Sequence, residues 1–147
     1  MRGGGYETEE DLRREGAVVV LLEDKWKCAG RKLKVSYKLD YALTRIATGV
    51  EAIFAFCEIK CVNYPWSVFE RVGGYRMSLD KWMSAQHLCL MSGVPFVLVV
   101  ASGEDIRYLR TEDFVHDGVV WNGRSDRGDK DDFEPQVVLG VDRFRAL

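Results

Sequence analysis

The run Ile53-Phe54-Ala55-Phe56-Cys57-Glu58-Ile59-Lys60-Cys61-Val62 constrains this chain more than any other stretch. It reads as a buried β-strand, apolar and aromatic for most of its length, with two charges near its C-terminal end. Charged side chains are rarely fully buried unless paired or coordinated, so Glu58 and Lys60 require a reason. Residues two apart on a strand share a face, which stands an acid beside an ammonium. Upstream, residues 36–43 form a second strand-like run with Asp40 in its middle. A turn around 45–51, punctuated by Gly49, joins the two runs. Neighbouring strands with so short a link are expected antiparallel, with Asp40 and Glu58 on one face.

The flanking elements follow from caps and periodicity. Thr8 is an N-cap, and Glu9, Glu10 and Asp11 suit the first turn of a helix running to about Lys27. Gly16 and the Val18–Val20 triplet oppose that helix, and a strand over 17–22 is the alternative. At helical spacing Leu12, Val19, Leu22 and Trp26 form an apolar stripe with Glu15 near its middle, a carboxylate facing the core. Residues 32–44 read as extended, in one long strand or two short ones. Residues 63–77 form an aromatic connection with a Gly73-Gly74 hinge, either a functional loop or a hairpin covering a sheet edge. Ser78 opens a second helix to about Ser92, stopped by Gly93 and Pro95. Its expected stripe is Leu79, Trp82, Met83, Cys89 and Leu90, with Gln86 inside and Lys81 pointing away. Residues 95–101 lack alternation, which suits a strand covered on both faces. A hairpin partner over 106–110 and two short strands over 118–122 and 136–141, separated by a polar loop at 124–134, complete the chain. This order predicts an α/β sandwich with a mixed sheet in a single domain.

Composition narrows the function. A net charge of −2 excludes a globally basic nucleic-acid binder. Charge is nonetheless uneven: residues 31–60 hold six Lys/Arg against three Asp/Glu, whereas 111–147 hold five against nine. Positive potential therefore gathers on the strands with the unusual charges. There is no membrane-spanning run and no apolar leader at the N-terminus, so a cytoplasmic protein with no membrane partner is expected. The four cysteines lack paired metal-binding spacing and read as free thiols in a reducing compartment. His87 and His116 read as surface or hydrogen-bonded residues.

Asp40 and Glu58 are hard oxygen ligands suited to Mg²⁺ or Mn²⁺, and the backbone carbonyl of Ile59 lies between Glu58 and Lys60 as a further ligand. Such a cation supports phosphodiester hydrolysis, with Lys60 orienting or deprotonating the water and Glu15 assisting as a metal contact. The competing reading is an ion pair of Lys60 with Glu58 or Asp40 at a sheet end. Tyr64, Trp66, Phe69 and Tyr75 are either base-stacking rings or core.

Asp40, seventeen intervening residues, then Glu58-Ile59-Lys60, behind a helix bearing Glu15 and ahead of a helix and a strand, resembles the PD-(D/E)XK nuclease superfamily. The similarity extends to small stand-alone phage or viral members. It implies a restriction-endonuclease-like α-β-β-β-α-β core over residues 8–101, with a short C-terminal β extension over 102–147. It also implies a nuclease acting on DNA in recombination, repair or degradation. Asp40 and Glu58 would be the metal ligands, Lys60 the catalytic lysine and Glu15 the first-helix acid. Lys81 or Gln86 would be the basic or amide residue after the third strand. Of the four rings, Tyr75 is the candidate substrate contact, read from its own aromatic stretch. Leu39 stands where many members have proline. Cutting both strands at once would call for a homodimer. The alternative within the same fold is an inactive module that binds nucleic acid or protein.

Overall fold

The computed structural model describes residues 8–123 and 133–147. Most of the polar loop expected at 124–134 lies outside them. Helix α1 (Glu9–Trp26) begins with a reciprocal cap. Thr8 Oγ1 accepts from the Asp11 N–H at 3.1 Å, and Asp11 Oδ2 accepts from the Thr8 N–H at 3.2 Å. The helix ends where Lys27 turns left-handed. It buries Glu15, Val18, Val19 and Leu22, whereas Leu12 is 46% exposed. The apolar face is therefore rotated from the expected stripe, and Glu15 is inside it. The β-branched triplet stays helical because Val18 and Val19 bury against the sheet, a gain of packing that outweighs propensity.

The expected extended run divides in two. Strand β1 (Ala29–Lys32) is followed by a 3₁₀ turn (Val35–Tyr37), and β2 (Tyr41–Ala47) returns antiparallel to β1. Lys38 at φ 62° completes the reversal. Asp40 consequently lies just before β2, rather than in the middle of a strand over 36–43. Thr48 and Gly49 then make a two-residue turn with both φ values positive, the geometry that matches strand twist in a hairpin. It leads into the long β3 (Val50–Val62), paired antiparallel with β2 as expected.

Residues 63–77 hold a short helix α2 (Ser67–Arg71) and strand β4 (Tyr75–Ser78), which interrupt the run between β3 and helix α3 (Leu79–Ser92). Strand β5 (Phe96–Ser102) follows, buried on both faces, parallel to β3 and hairpinned to β6 (Asp105–Thr111). The remaining strands are β7 (Val119–Gly123), β8 (Phe133–Leu139) and β9 (Arg145–Ala146). The main sheet has the order β1-β2-β3-β5-β6-β9, and a second sheet has the order β4-β8-β7. This mixed α/β architecture is compatible with a restriction-endonuclease-like fold. Residues 102–147 do not form an appended extension, because they supply two strands to each sheet.

Alternation along the central strands separates two apolar layers. Ala55, Cys57, Ile59, Val97 and Val99 meet Val18, Val19 and Leu22 of α1. Phe56, Phe96, Leu98 and Val100 face Trp82 and Ala85 of α3, together with Tyr75, Met77, Val137 and Leu139 of the second sheet. Burial of this α3 layer exceeds what its expected stripe allowed. Trp82 and Ala85 are inside while Met83 and Leu90 face solvent. All four cysteines are free, and Cys57 is the one fully buried.

Candidate functional site

The hairpin brings the two central acids together. Tyr41 is registered against Cys57, and the Asp40 N–H donates to the Cys57 carbonyl at 3.2 Å, so Asp40 stands directly across from Glu58. Opposed positions of this kind put side chains within about 5.5 Å at Cβ, close enough for like charges to repel. Asp40 is fixed further because its Oδ2 accepts the Ile59 N–H at 2.9 Å. N–H and C=O of one strand residue leave on the same edge, so the Ile59 carbonyl also emerges beside Asp40.

Glu58 is 6% exposed. Its Oε2 accepts from Lys81 Nζ of α3 at 2.6 Å, while its Oε1 is inaccessible to solvent and has no hydrogen-bond partner. Burial, added to by the neighbouring Asp40 carboxylate and opposed by Lys81, pushes the Glu58 carboxyl up to about 7. Lys81 therefore points at the site, contrary to the outward phase expected of it. The inward face of α3 is set by Trp82 and Ala85, and Lys81, four residues before Ala85, flanks it. Partial burial works against the Lys81 charge, but Glu58 holds its pKa above the ordinary value.

On the other face of the sheet, Glu15 Oε2 accepts from Lys32 Nζ at 2.9 Å and from the Tyr41 hydroxyl at 3.0 Å. Lys32 Nζ is also 3.7 Å from Asp40 Oδ1. The charges thus alternate along a chain, Glu15–Lys32–Asp40 and then Glu58–Lys81, that passes from α1 across the sheet to α3. Lys60 shares the Glu58 face, is exposed, and forms no ion pair among the described residues. The ion pair weighed for it at the sheet end is made instead by Lys81 and Lys32. The sequence does not single out Lys32, and it offers Lys81 only as one of two candidates for the basic or amide residue after the third strand. The register of β1 against β2, which sets Lys32 beside Tyr41, was the signal available for Lys32.

Gln86 is exposed. Tyr75, expected as a substrate contact, is 7% exposed and packs edge-on to Phe69 and Phe144, so its ring is not presented to a ligand. Trp66 and Phe69 are likewise core, and only Tyr64 among the four weighed rings is exposed. His87 and His116 are exposed. An apolar cavity of about 630 Å³ between Arg14, Leu21, Cys61, Tyr64 and Ile106 includes none of Glu15, Asp40, Glu58, Lys60 and Lys81, and its lining does not suit a phosphodiester.

Among the described residues no three His, Cys, Asp or Glu side chains gather as a metal site. The donor set at Asp40 and Glu58 is smaller, two carboxylates with the Ile59 carbonyl, and it is all oxygen, as Mg²⁺ or Mn²⁺ prefers. The orphaned Glu58 Oε1 fits such an ion: a buried carboxylate oxygen without a donor is otherwise a cost of folding. Glu15 Oε2 already receives two hydrogen bonds, from Lys32 and Tyr41, so that oxygen is engaged away from the Asp40–Glu58 pair.

Among the described residues no helix is long and apolar enough to cross a membrane. Comparison with curated proteins gives no match, and comparison with solved structures gives none. The chain matches, over residues 1–147, the family described as "Phage putative PDDEXK endonuclease", and it belongs to that family.

Proposed function

We propose that this protein is a Mg²⁺- or Mn²⁺-dependent endonuclease that hydrolyses phosphodiester bonds in DNA, working in the cytoplasm of the phage's host. The observation that carries this reading is the buried, unpartnered Glu58 Oε1 directly across from Asp40. Asp40, Glu58 and the Ile59 carbonyl would hold the cation. When bound, it would neutralise charge on the phosphoryl oxygens, lower the pKa of a water and assist the leaving alkoxide.

The protein's own groups divide the remaining work. Lys81, through its 2.6 Å bond to Oε2, fixes the Glu58 carboxylate and leaves Oε1 for the ligand. The Ile59 N–H does the same for Asp40. Lys60 reaches solvent from the Glu58 face, where its ammonium can hold a scissile phosphate and orient the attacking water. A phage nuclease of this kind would serve recombination, repair or DNA degradation. A homodimer would place two sites on the two strands of a duplex. The second reading, an inactive binding module, draws on the fact that Lys81 and Lys32 already neutralise Glu58 and Asp40 in part.

Labelled single-stranded, duplex, flapped and four-way-junction DNA, incubated with Mg²⁺, Mn²⁺ or EDTA, separates the two readings. Cleavage is expected with metal, absent in EDTA, and reduced about 100-fold or more in Asp40→Asn and Lys60→Ala with folding retained. DNA binding without cleavage of any substrate, unaffected by either substitution, would establish the binding module instead.

A further inference from the structure

Lys32 occupies a place that a second cation would need. Its Nζ is 2.9 Å from Glu15 Oε2 and 3.7 Å from Asp40 Oδ1, so the ammonium bridges the first-helix acid and the strand acid. A divalent ion shared by those two carboxylates would have to bring oxygens to about 2.0–2.6 Å from itself, displacing the ammonium from between them. Lys32 is not a casual visitor there. It is the last residue of β1, paired in register with Tyr41, and the Leu33 N–H donates to the Asp40 carbonyl at 2.9 Å, which fixes its backbone beside Asp40. Its Nζ also lies 4.9 Å from the centroid of the Tyr41 ring, whose hydroxyl donates to the same Glu15 oxygen. The Glu15 oxygen nearest Lys32 is thus already occupied by an ammonium and a phenol. On the opposite face, Glu58 Oε1 has no donor at all. Among the described residues, the buried carboxylate oxygen of this cluster that lacks a donor is on the Glu58 side.

We propose that Lys32 is a positioning residue that replaces a second metal ion, limiting this protein to one divalent cation per chain by filling the Glu15–Asp40 position with its own positive charge. The inference rests on the metal site proposed above. It assigns Glu15 the role of anchoring Lys32 rather than that of ligand. A fixed ammonium gives the site constant charge on that flank, whatever the metal concentration.

Counting bound Mn²⁺ by electron paramagnetic resonance and by isothermal titration calorimetry tests the proposal without any appeal to activity. Wild-type protein is expected to bind one Mn²⁺ per chain. Lys32→Met keeps the aliphatic stem of a side chain that is 46% exposed and removes the charge, and it is expected to bind two. Lys32→Arg, which retains the charge, is expected to bind one. Double substitution of Lys32→Met with Glu15→Gln should return the count to one, because the second ion loses its ligand. Two ions in the wild type, or one ion in a folded Lys32→Met, would overturn the proposal while leaving the Asp40–Glu58 site standing. Absence of Mn²⁺ from the wild type, with no change in Asp40→Asn, would remove the metal site and this inference together.

Discussion

At the scale of single residues, Glu58 is where folding and chemistry conflict. Its carboxyl, pushed up to about 7 by burial, lies above the ordinary 4.5. Below about pH 4.5 the group is protonated in folded and unfolded chains alike and makes no difference to stability. From there to pH 7 only the unfolded chain releases its proton, so stability falls as pH rises. Above pH 7 the whole penalty is present, roughly 3 kcal/mol at 1.36 kcal/mol per unit. Urea unfolding of the metal-free protein should show this decline between pH 4.5 and 7, and Glu58→Gln should flatten it. An equal slope in both proteins would mean that another group titrates. Uptake of Mn²⁺ at the proposed site should release a proton in the same range, so metal affinity is expected to climb from pH 6 to pH 8. Glu58 and Lys60 were legible from sequence because charges in an apolar strand stand out, and Asp40 because it sits one strand upstream. Lys81 was legible only as a candidate for the basic residue after the third strand; its bond to Glu58, and Lys32 altogether, were not, since ordinary exposed-type lysines reveal a partner only when register and helix phase are known.

At the scale of elements, α1, α3, the β2–β3 hairpin and the doubly covered β5 could be read from the Thr8 cap, the left-handed Gly93 stop, Gly49 and the unbroken run of 95–101, although the Ser78 hydroxyl bonds Glu134 and caps no N–H of α3. The second sheet could not. Its strand β4 spans four residues, and its partner β8 lies far along the chain, at Leu139 opposite Tyr75. No local pattern encodes a pairing of that range. The short helix and strand in 63–77 depend on that same sheet. Gly74 shows why the glycines there are needed: at φ 137° a Cβ would come within 2.6 Å of the Leu139 carbonyl oxygen. Gly74→Ala is therefore expected to cost about 1–3 kcal/mol, from backbone strain and the forced separation of β4 from β8. Thermal unfolding should register a drop of about 2–4 °C per kcal/mol in a chain of this size. An unchanged midpoint would show that β4 shifts freely against β8. The same reasoning explains the misread stripe of α3. Its inner face is chosen by Phe96, Phe114 and the second sheet around Trp82, which helical periodicity alone does not contain.

At the scale of the whole molecule, the two sheets share one apolar layer, so the C-terminal third is part of the body that holds the site. Charge is arranged with it: Lys32, Lys60 and Lys81 ring the two acids, while Asp117 and Arg143 neutralise one another on the C-terminal side at 2.7 Å. The β2–β3 hairpin is a local contact, whereas the parallel β3–β5 pair cannot close until residues 63–95 have crossed over. Local contacts form early and long crossovers late. Asp40 and Glu58 should accordingly face each other in the folding transition state before α3 delivers Lys81. A bond absent from the transition state slows unfolding and leaves the folding rate alone. Stopped-flow chevrons of Lys81→Met at pH 8 are thus expected to keep the wild-type refolding limb and raise the unfolding limb, about tenfold for each 1.4 kcal/mol lost. A slower refolding limb would place α3 in the nucleus. Order of arrival, and not only final position, then makes Lys81 a latch: the protein's lifetime in the folded state is set in part by the ammonium that reaches its acids last.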